Sequence, residues 1–166
     1  MDQKSIEAIY EKFDTPRHII AHMQKVAYVC EKIADMMLEK RIKIDKELVI
    51  TAALLHDTMR IMPHHEAAMA KFLSNQGEKK LATLVKKHGF FSIDDLKTWE
   101  EKILYYADKR VDHDQIVGLK KRFLEGKKRS SALSGNPEKV RLTEEKVFKL
   151  EREIVEILGE GIIDKF

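Results

Sequence analysis

The chain has 166 residues, 43% hydrophobic and 36% charged, with a formal net charge of +3. That length can bury one sizeable core, and the charge is too small to argue for nucleic acid by itself. The single cysteine, Cys30, excludes an internal disulfide; its place on an apolar helical stripe makes it a small core residue rather than a nucleophile, which suits a reducing compartment.

Only 7 Gly and 3 Pro interrupt the chain, and its polar stretches are rich in Glu, Lys and Arg, so helices are expected throughout. Residues 4–13 read as a short first helix. Pro16 suits a first helical turn. Ile19, Met23, Val26, Cys30, Ile33 and Met37 then alternate steps of four and three, an amphipathic helix to about Leu38. Asp45 is placed to cap a helix running to about Met59. Beyond Pro63 a helix is expected from about His64 to Asn75, closed by Gly77, and another from about Glu78 to Lys87. Thr98-Trp-Glu-Glu101 matches a capping box and starts a helix to about Val111. Asp114 to Leu124 is expected to continue as a helix, residues 126–137 as a loop, and residues 143–159 as a last helix capped by Thr143. No convincing alternating strand is visible, so the class is all-α. The first residues hold no apolar signal-peptide core and no window approaches a membrane span, which points to a cytoplasmic protein.

On these helices several polar side chains fall on apolar faces. His22 lies with Ile19, Val26 and Val29; His56 with Val49, Ala52 and Ala53; His65 with Ala68, Met69 and Phe72. His88 follows Leu81, Leu84 and Val85, and Asp108 shares a face with Leu104, Tyr105 and Val111. A lone histidine on such a face is more often a hydrogen-bonded core residue. Five helices each aiming a His or Asp inward are another matter, because unpaired buried polar groups cost about 1–3 kcal/mol each and a shared cation removes that cost. A mixed His/Asp set suits Zn, Mn, Fe, Co or Ni and disfavours Ca, and with no Cys in it a Cys-type structural zinc site is excluded.

The order and spacing of these residues resemble the HD-domain superfamily of metal-dependent phosphohydrolases. His22-Met-Gln-Lys-Val26 looks like the family's first-ligand helix, Leu54-Leu-His56-Asp57-Thr-Met-Arg60 is similar to its His-Asp segment, and Tyr106-Ala-Asp108-Lys-Arg-Val111 resembles its last-ligand helix. The resemblance implies a compact helical bundle of about seven to eight helices, a single domain over 1–166 with a core of about 15–125. It also implies that His22, His56, Asp57 and Asp108 ligate one metal, with His65 and His88 holding a second ion in members with two; His64 is the alternative to His65. One ion is expected, and the donor set is compatible with two. Where the family commonly has Ile-Gly-Lys after His-Asp, this chain has Thr58-Met59-Arg60. Met59 in place of glycine is expected to narrow the approach to the metal, and the acidic residues of the nucleoside-5′-monophosphatase branch have no match.

The implied chemistry is hydrolysis of a phosphate ester, in a nucleotide or other small phosphorylated molecule, by a metal-activated water. Asp57 would share its two oxygens between metal and proton. Arg60 is the first candidate to offset phosphate charge, followed by Lys109 and Arg110, then Arg17. Lys120 to Arg129 is strongly basic; it reads as a solvated helix end and mobile loop, with attraction of a polyanionic substrate or RNA the alternative, and nucleic acid is disfavoured as a partner. The last helix suggests a lid or dimer element, and a homodimer is the corresponding expectation. The rival readings are a di-iron oxygenase on the same fold and a non-catalytic nucleotide or metal sensor.

Overall fold

The computed structural model describes residues 1–129 and 136–162. Its α-helices are α1 (Gln3–Lys12), α2 (Arg17–Glu39), α3 (Lys46–Leu55), α4 (His65–Asn75), α5 (Lys79–Lys86), α6 (Trp99–Lys109), α7 (Leu119–Arg129) and α8 (Pro137–Leu158). Short 3-10 turns cover Phe90–Asp95 and Glu160–Ile162, and β1 (Val111–Asp112) pairs antiparallel with β2 (Gln115–Ile116). The all-α class expected from the sequence is borne out, with this two-residue ladder its minor exception.

The long helix α2 is the axis of the fold. Met23, Val26, Val29, Cys30, Ile33 and Met37 are all fully buried, as its three-and-four spacing requires. Helices α3 and α6 and the β1–β2 hairpin pack on α2, α4 pairs with α5, and α3 bridges both groups. Burial pushes the Cys30 thiol well up, so it is a core residue as expected. Among the described residues no helix is long and apolar enough to cross a membrane.

Capping sets several boundaries. Asp45 accepts from the Leu48 amide at 3.0 Å, and Thr98 and Glu101 form the reciprocal capping box. Four expectations need correction. Helix α3 stops at Leu55 rather than near Met59, because His56 Nδ1 bonds the Ala53 carbonyl and Thr58 Oγ1 the Leu55 carbonyl. Those side chains compete with the helical ladder. The helix expected from Asp114 is instead a hairpin: His113 turns the chain with φ 56°, and the Val117 amide returns to the Arg110 carbonyl at 2.8 Å. Gly118 then starts α7, its carbonyl accepting from the Arg122 amide at 3.0 Å.

The third correction concerns residues 126–129, expected to open a loop. They are the last turn of α7, where basic side chains suit the negative end of the helix dipole; residues 130–135 of that loop lie outside the described residues. Fourth, α8 begins at Pro137, with Asn136 accepting from the Lys139 amide at 3.0 Å. Thr143 is therefore interior, its hydroxyl bonded back to the Lys139 carbonyl at 2.8 Å.

Arg110 ties this side of the molecule together. It is 3% exposed; its Nε donates to the Val117 carbonyl at 2.8 Å and its Nη1 to the Tyr106 hydroxyl at 2.7 Å. Nη1 also stands 3.5 Å from Glu151 of α8. The substrate role expected for Arg110 is corrected accordingly: its guanidinium is spent inside the fold, joining α6, the hairpin and α8. Arg110→Ala leaves the Val117 carbonyl and the Tyr106 hydroxyl without their donor and is predicted to lower unfolding stability by about 1–3 kcal/mol, measured by urea titration.

Candidate metal centre

Helices α2 to α6 bring His22, His56, Asp57, His65, His88 and Asp108 to one place. His22 lies in mid-α2, His56 caps the end of α3, and Asp57 follows it in the turn. His65 opens α4, His88 lies just past α5, and Asp108 is near the end of α6. His56 and Asp57 are fully buried, and His22, His88 and Asp108 nearly so.

Two donor groups can be drawn. His22 Nε2 is 3.0 Å from Asp108 Oδ1 and 3.8 Å from Asp57 Oδ2, while His56 Nε2 is 3.5 Å and 3.6 Å from the same two oxygens. On the other side, Asp57 Oδ1 lies 3.0 Å from His65 Nε2 and 3.3 Å from His88 Nε2. Each group's ligand atoms lie within 4.8 Å of one another. Asp57 thus turns one oxygen to each group. Donors bound at about 2.0–2.2 Å to a common ion stand roughly 3–3.5 Å apart, close to the 3.0–3.8 Å between these nitrogens and oxygens.

The histidine tautomers favour the same reading. His22 Nδ1 bonds the His113 carbonyl at 2.7 Å, His56 Nδ1 the Ala53 carbonyl at 2.8 Å, and His88 Nδ1 the Val85 carbonyl at 2.6 Å. A carbonyl can only accept, so each Nδ1 carries the proton, and whenever a ring is neutral its Nε2 lone pair faces the cluster. Among the described residues, His56 Nε2 and Asp57 Oδ1 are buried side-chain atoms with no hydrogen-bond partner. Lone pairs and carboxylates converging without donors are unfavourable, and a divalent cation resolves them. The donors therefore fit a divalent metal.

Electrostatics keep the carboxylates ionised. Burial would raise Asp57, but the charge of His56 and the approach of His65 and His88 hold it well below the usual range. Burial opposes ionisation of Asp108 too, and is outweighed by the Lys109 ammonium and by His22 and His56. His88 is lowered by burial. His56 is raised, burial being outweighed by Asp57 and Asp108.

Cations stand against the carboxylates. Arg60 Nη1 donates to Asp57 Oδ2, and Lys109 Nζ donates to Asp108 Oδ2 and, at 2.9 Å, to the His88 carbonyl. Lys109 thereby turns Asp108 Oδ1 toward the histidines. A cavity of about 700 Å³ opens above the cluster, and Arg60 and Lys109 line it. Arg17, expected third, lies exposed at the start of α2 and is not part of that lining. Met59 does not narrow the approach: it is 6% exposed and packs in the core. His64 is exposed, with φ 53°, and it is His65 that reaches Asp57.

The lining also includes His18, Glu66, Gly89, Phe90, Asp112, His113, Arg122 and Arg129; the sequence singled out none of them individually, Arg122 and Arg129 figuring only within the basic run 120–129. His18, one turn before His22, carried a readable signal. His113 and the two arginines did not, because a hairpin and an extended α7 bring them in. Gly89 has a steric reason, since a Cβ there would stand 3.2 Å from Glu66 Oε1.

The HD domain model matches residues 19–111, an interval that holds all six cluster residues and more than half of the chain. The chain belongs to the HD-domain family. A tRNA (cytidine(56)-2'-O)-methyltransferase of Picrophilus torridus is 32% identical over 120 residues, an alignment taking in 61% of this chain and 34% of that protein. This HD-domain chain thus spans about a third of the relative's length. No solved structure matches it.

Acid should release a metal held here. Asp57 and Asp108 stay ionised through mild acid, so protons compete for the histidines. The raised value of His56 starts that competition above its ordinary value of about 6.5. Metal content after dialysis is predicted to fall steadily between about pH 7 and pH 5, read by atomic absorption.

Proposed function

We propose that this chain is a metal-dependent phosphohydrolase acting on a phosphate ester of a nucleotide or other small phosphorylated molecule. The observation that carries the reading is the convergence of three tautomer-locked histidines and two ionised carboxylates beneath a cavity that His22, His88 and Asp108 help to line and whose walls bear cations. A cavity of this size suits a small molecule.

His22, His56, Asp57 and Asp108 would hold one divalent transition metal (Mn, Fe, Co, Ni or Zn). Asp57, His65 and His88 offer a second place, with Asp57 bridging. The ion would supply a water of lowered pKa and polarise a phosphoryl oxygen. Asp57 would serve that ion as a ligand, and its Oδ1, which has no hydrogen-bond partner, would be the oxygen left to accept a proton. Arg60 is well placed for the phosphate: its side chain is 45% exposed, and one face of the guanidinium meets Asp57 while the rest looks into the cavity. Lys109 acts through Asp108 and is a positioning residue.

The shared Asp57 gives the di-iron oxygenase its one specific support, and the two readings part on oxygen. Hydrolysis proceeds without it; an oxygenase requires both iron and oxygen. The tRNA named in the relative's activity belongs in the substrate screen as a further arm.

The test is metal analysis of protein purified without chelators, then a phosphate-release screen with Mn, Co, Ni, Mg and Fe under air and under argon. Turnover is predicted with at least one metal under argon. Asp57→Ala should remove it, and Arg60→Ala should lower kcat/KM by about 10²–10³-fold. Unchanged metal content in His22→Ala, His56→Ala and Asp108→Ala would sink the proposed site.

A further inference from the structure

Two basic residues of the run from Lys120 to Arg129 face the cavity, and the other basic ones do not. Helix α7 carries the run to Arg129, and Arg122, Gly126 and Arg129 all line the cavity above the metal cluster. Steps of four and three put these residues on one helical face. The other basic residues are elsewhere: Lys127 pairs with Glu144 at 2.8 Å, Lys128 with Glu125 at 2.8 Å, and Lys120 and Lys121 are exposed.

The two arginines are held by one carboxylate. Arg129 Nη2 donates to Asp112 Oδ1 at 2.6 Å, and its Nη1 lies 2.8 Å from His113 Nε2. Arg122 Nε donates to the Val111 carbonyl at 3.0 Å, with Nη1 at 4.0 Å from the same Asp112 oxygen. Among the described residues, Asp112 is the sole carboxylate paired with either guanidinium. Two positive charges against one negative charge leave one uncompensated at the cavity wall, where a further anion is favoured.

Gly126 points the same way. Glycine inside a helix is unfavourable relative to alanine, and no turn or positive φ requires it here. A Cβ on Gly126 would meet only Arg122 Nη1, at 3.6 Å. What glycine leaves is open space between the two arginines.

We propose that Arg122 and Arg129 form a second anion subsite on the α7 wall, so that the molecule held at the metal cluster carries another phosphate. This deepens the phosphohydrolase reading and rests on it for the reacting end. Capture of the second phosphate is a separate binding event. Planar guanidinium forks match phosphate oxygens bidentately. Phe90 and Phe123 also line the cavity and offer apolar wall for the body of a small bisphosphate.

Titration calorimetry on the protein as purified tests this, with phosphate release followed in parallel. The probes are adenosine 5′-monophosphate against adenosine 3′,5′-bisphosphate, and fructose 6-phosphate against fructose 1,6-bisphosphate. Glycerol 3-phosphate against 3-phosphoglycerate reads a carboxylate in place of the second phosphate. At least one bisphosphate should bind about tenfold or more tightly than its monophosphate, and more tightly than the carboxylate pair discriminates. Arg129→Gln and Arg122→Gln should each shrink that ratio toward one. Gly126→Leu should do the same while raising the thermal midpoint, which separates blocking from unfolding. Lys128→Gln, away from the cavity, should leave the ratio intact.

Ratios near one in both bisphosphate pairs, or a preference insensitive to both arginines, would overturn the subsite. So would a 5′-phosphorylated ten-nucleotide RNA that binds more tightly than either bisphosphate and depends on Lys120 and Lys121. An arginine-dependent preference with no phosphate released keeps the subsite and removes the hydrolase reading.

Discussion

Three hydrogen bonds from histidine Nδ1 to main-chain carbonyls decide what the centre of this protein can do. Without them His22, His56 and His88 could rotate, swap tautomers and donate to the nearby carboxylates, giving an ordinary buried polar cluster. With them every Nε2 lone pair is directed at Asp57 and Asp108. The arrangement is poor as a metal-free hydrogen-bond network and good as a ligand set. His56 Nε2 and Asp57 Oδ1 mark that mismatch. Each of the three bonds also fixes a piece of the fold: one ends α3, one closes the exit from α5, and one docks the hairpin on α2.

The centre was legible in the sequence because helices carry a strict period. A histidine seven residues from Val29 and three from Ile19 on one stripe must face inward, whatever the neighbouring helices do. The same rule placed His56, His65, His88 and Asp108. The ends of elements were less legible, since they depend on side chains competing for backbone partners. Thr58 reads as a helix residue until its hydroxyl takes the Leu55 carbonyl. Asp114 and Gln115 read as a helix start until His113 adopts a positive φ. Arg110 reads as a cation beside a ligand; only the packing of α8 reveals that it points the other way.

The far wall of the cavity was hidden for a related reason. A charged run leading into a serine-containing stretch has the composition of solvated chain, and nothing local distinguishes its cavity-facing arginines from its solvent-facing lysines. Contacts between elements make that distinction. Phe123 packs edge-on to Phe90 at 6.0 Å and to Phe148 at 5.7 Å, so α7 is pinned between the 3-10 turn and α8. Once Phe123 points inward, its neighbour Arg122 is carried to the cavity rim and the i+7 partner Arg129 follows.

The carbonyl anchors have a bearing on how this centre drifts over evolutionary time. Ala53 and Val85 contribute main-chain oxygen to the ligands, and any residue that keeps the backbone path supplies the same atom. Their side chains are free to vary within the limits of packing. Selection on the centre then acts on the geometry of the helix ends rather than on residue identity at 53 or 85. A comparison of relatives by sequence would rank these two positions as unremarkable core, and a side-chain scan would pass over them, although both hold a ligand in place.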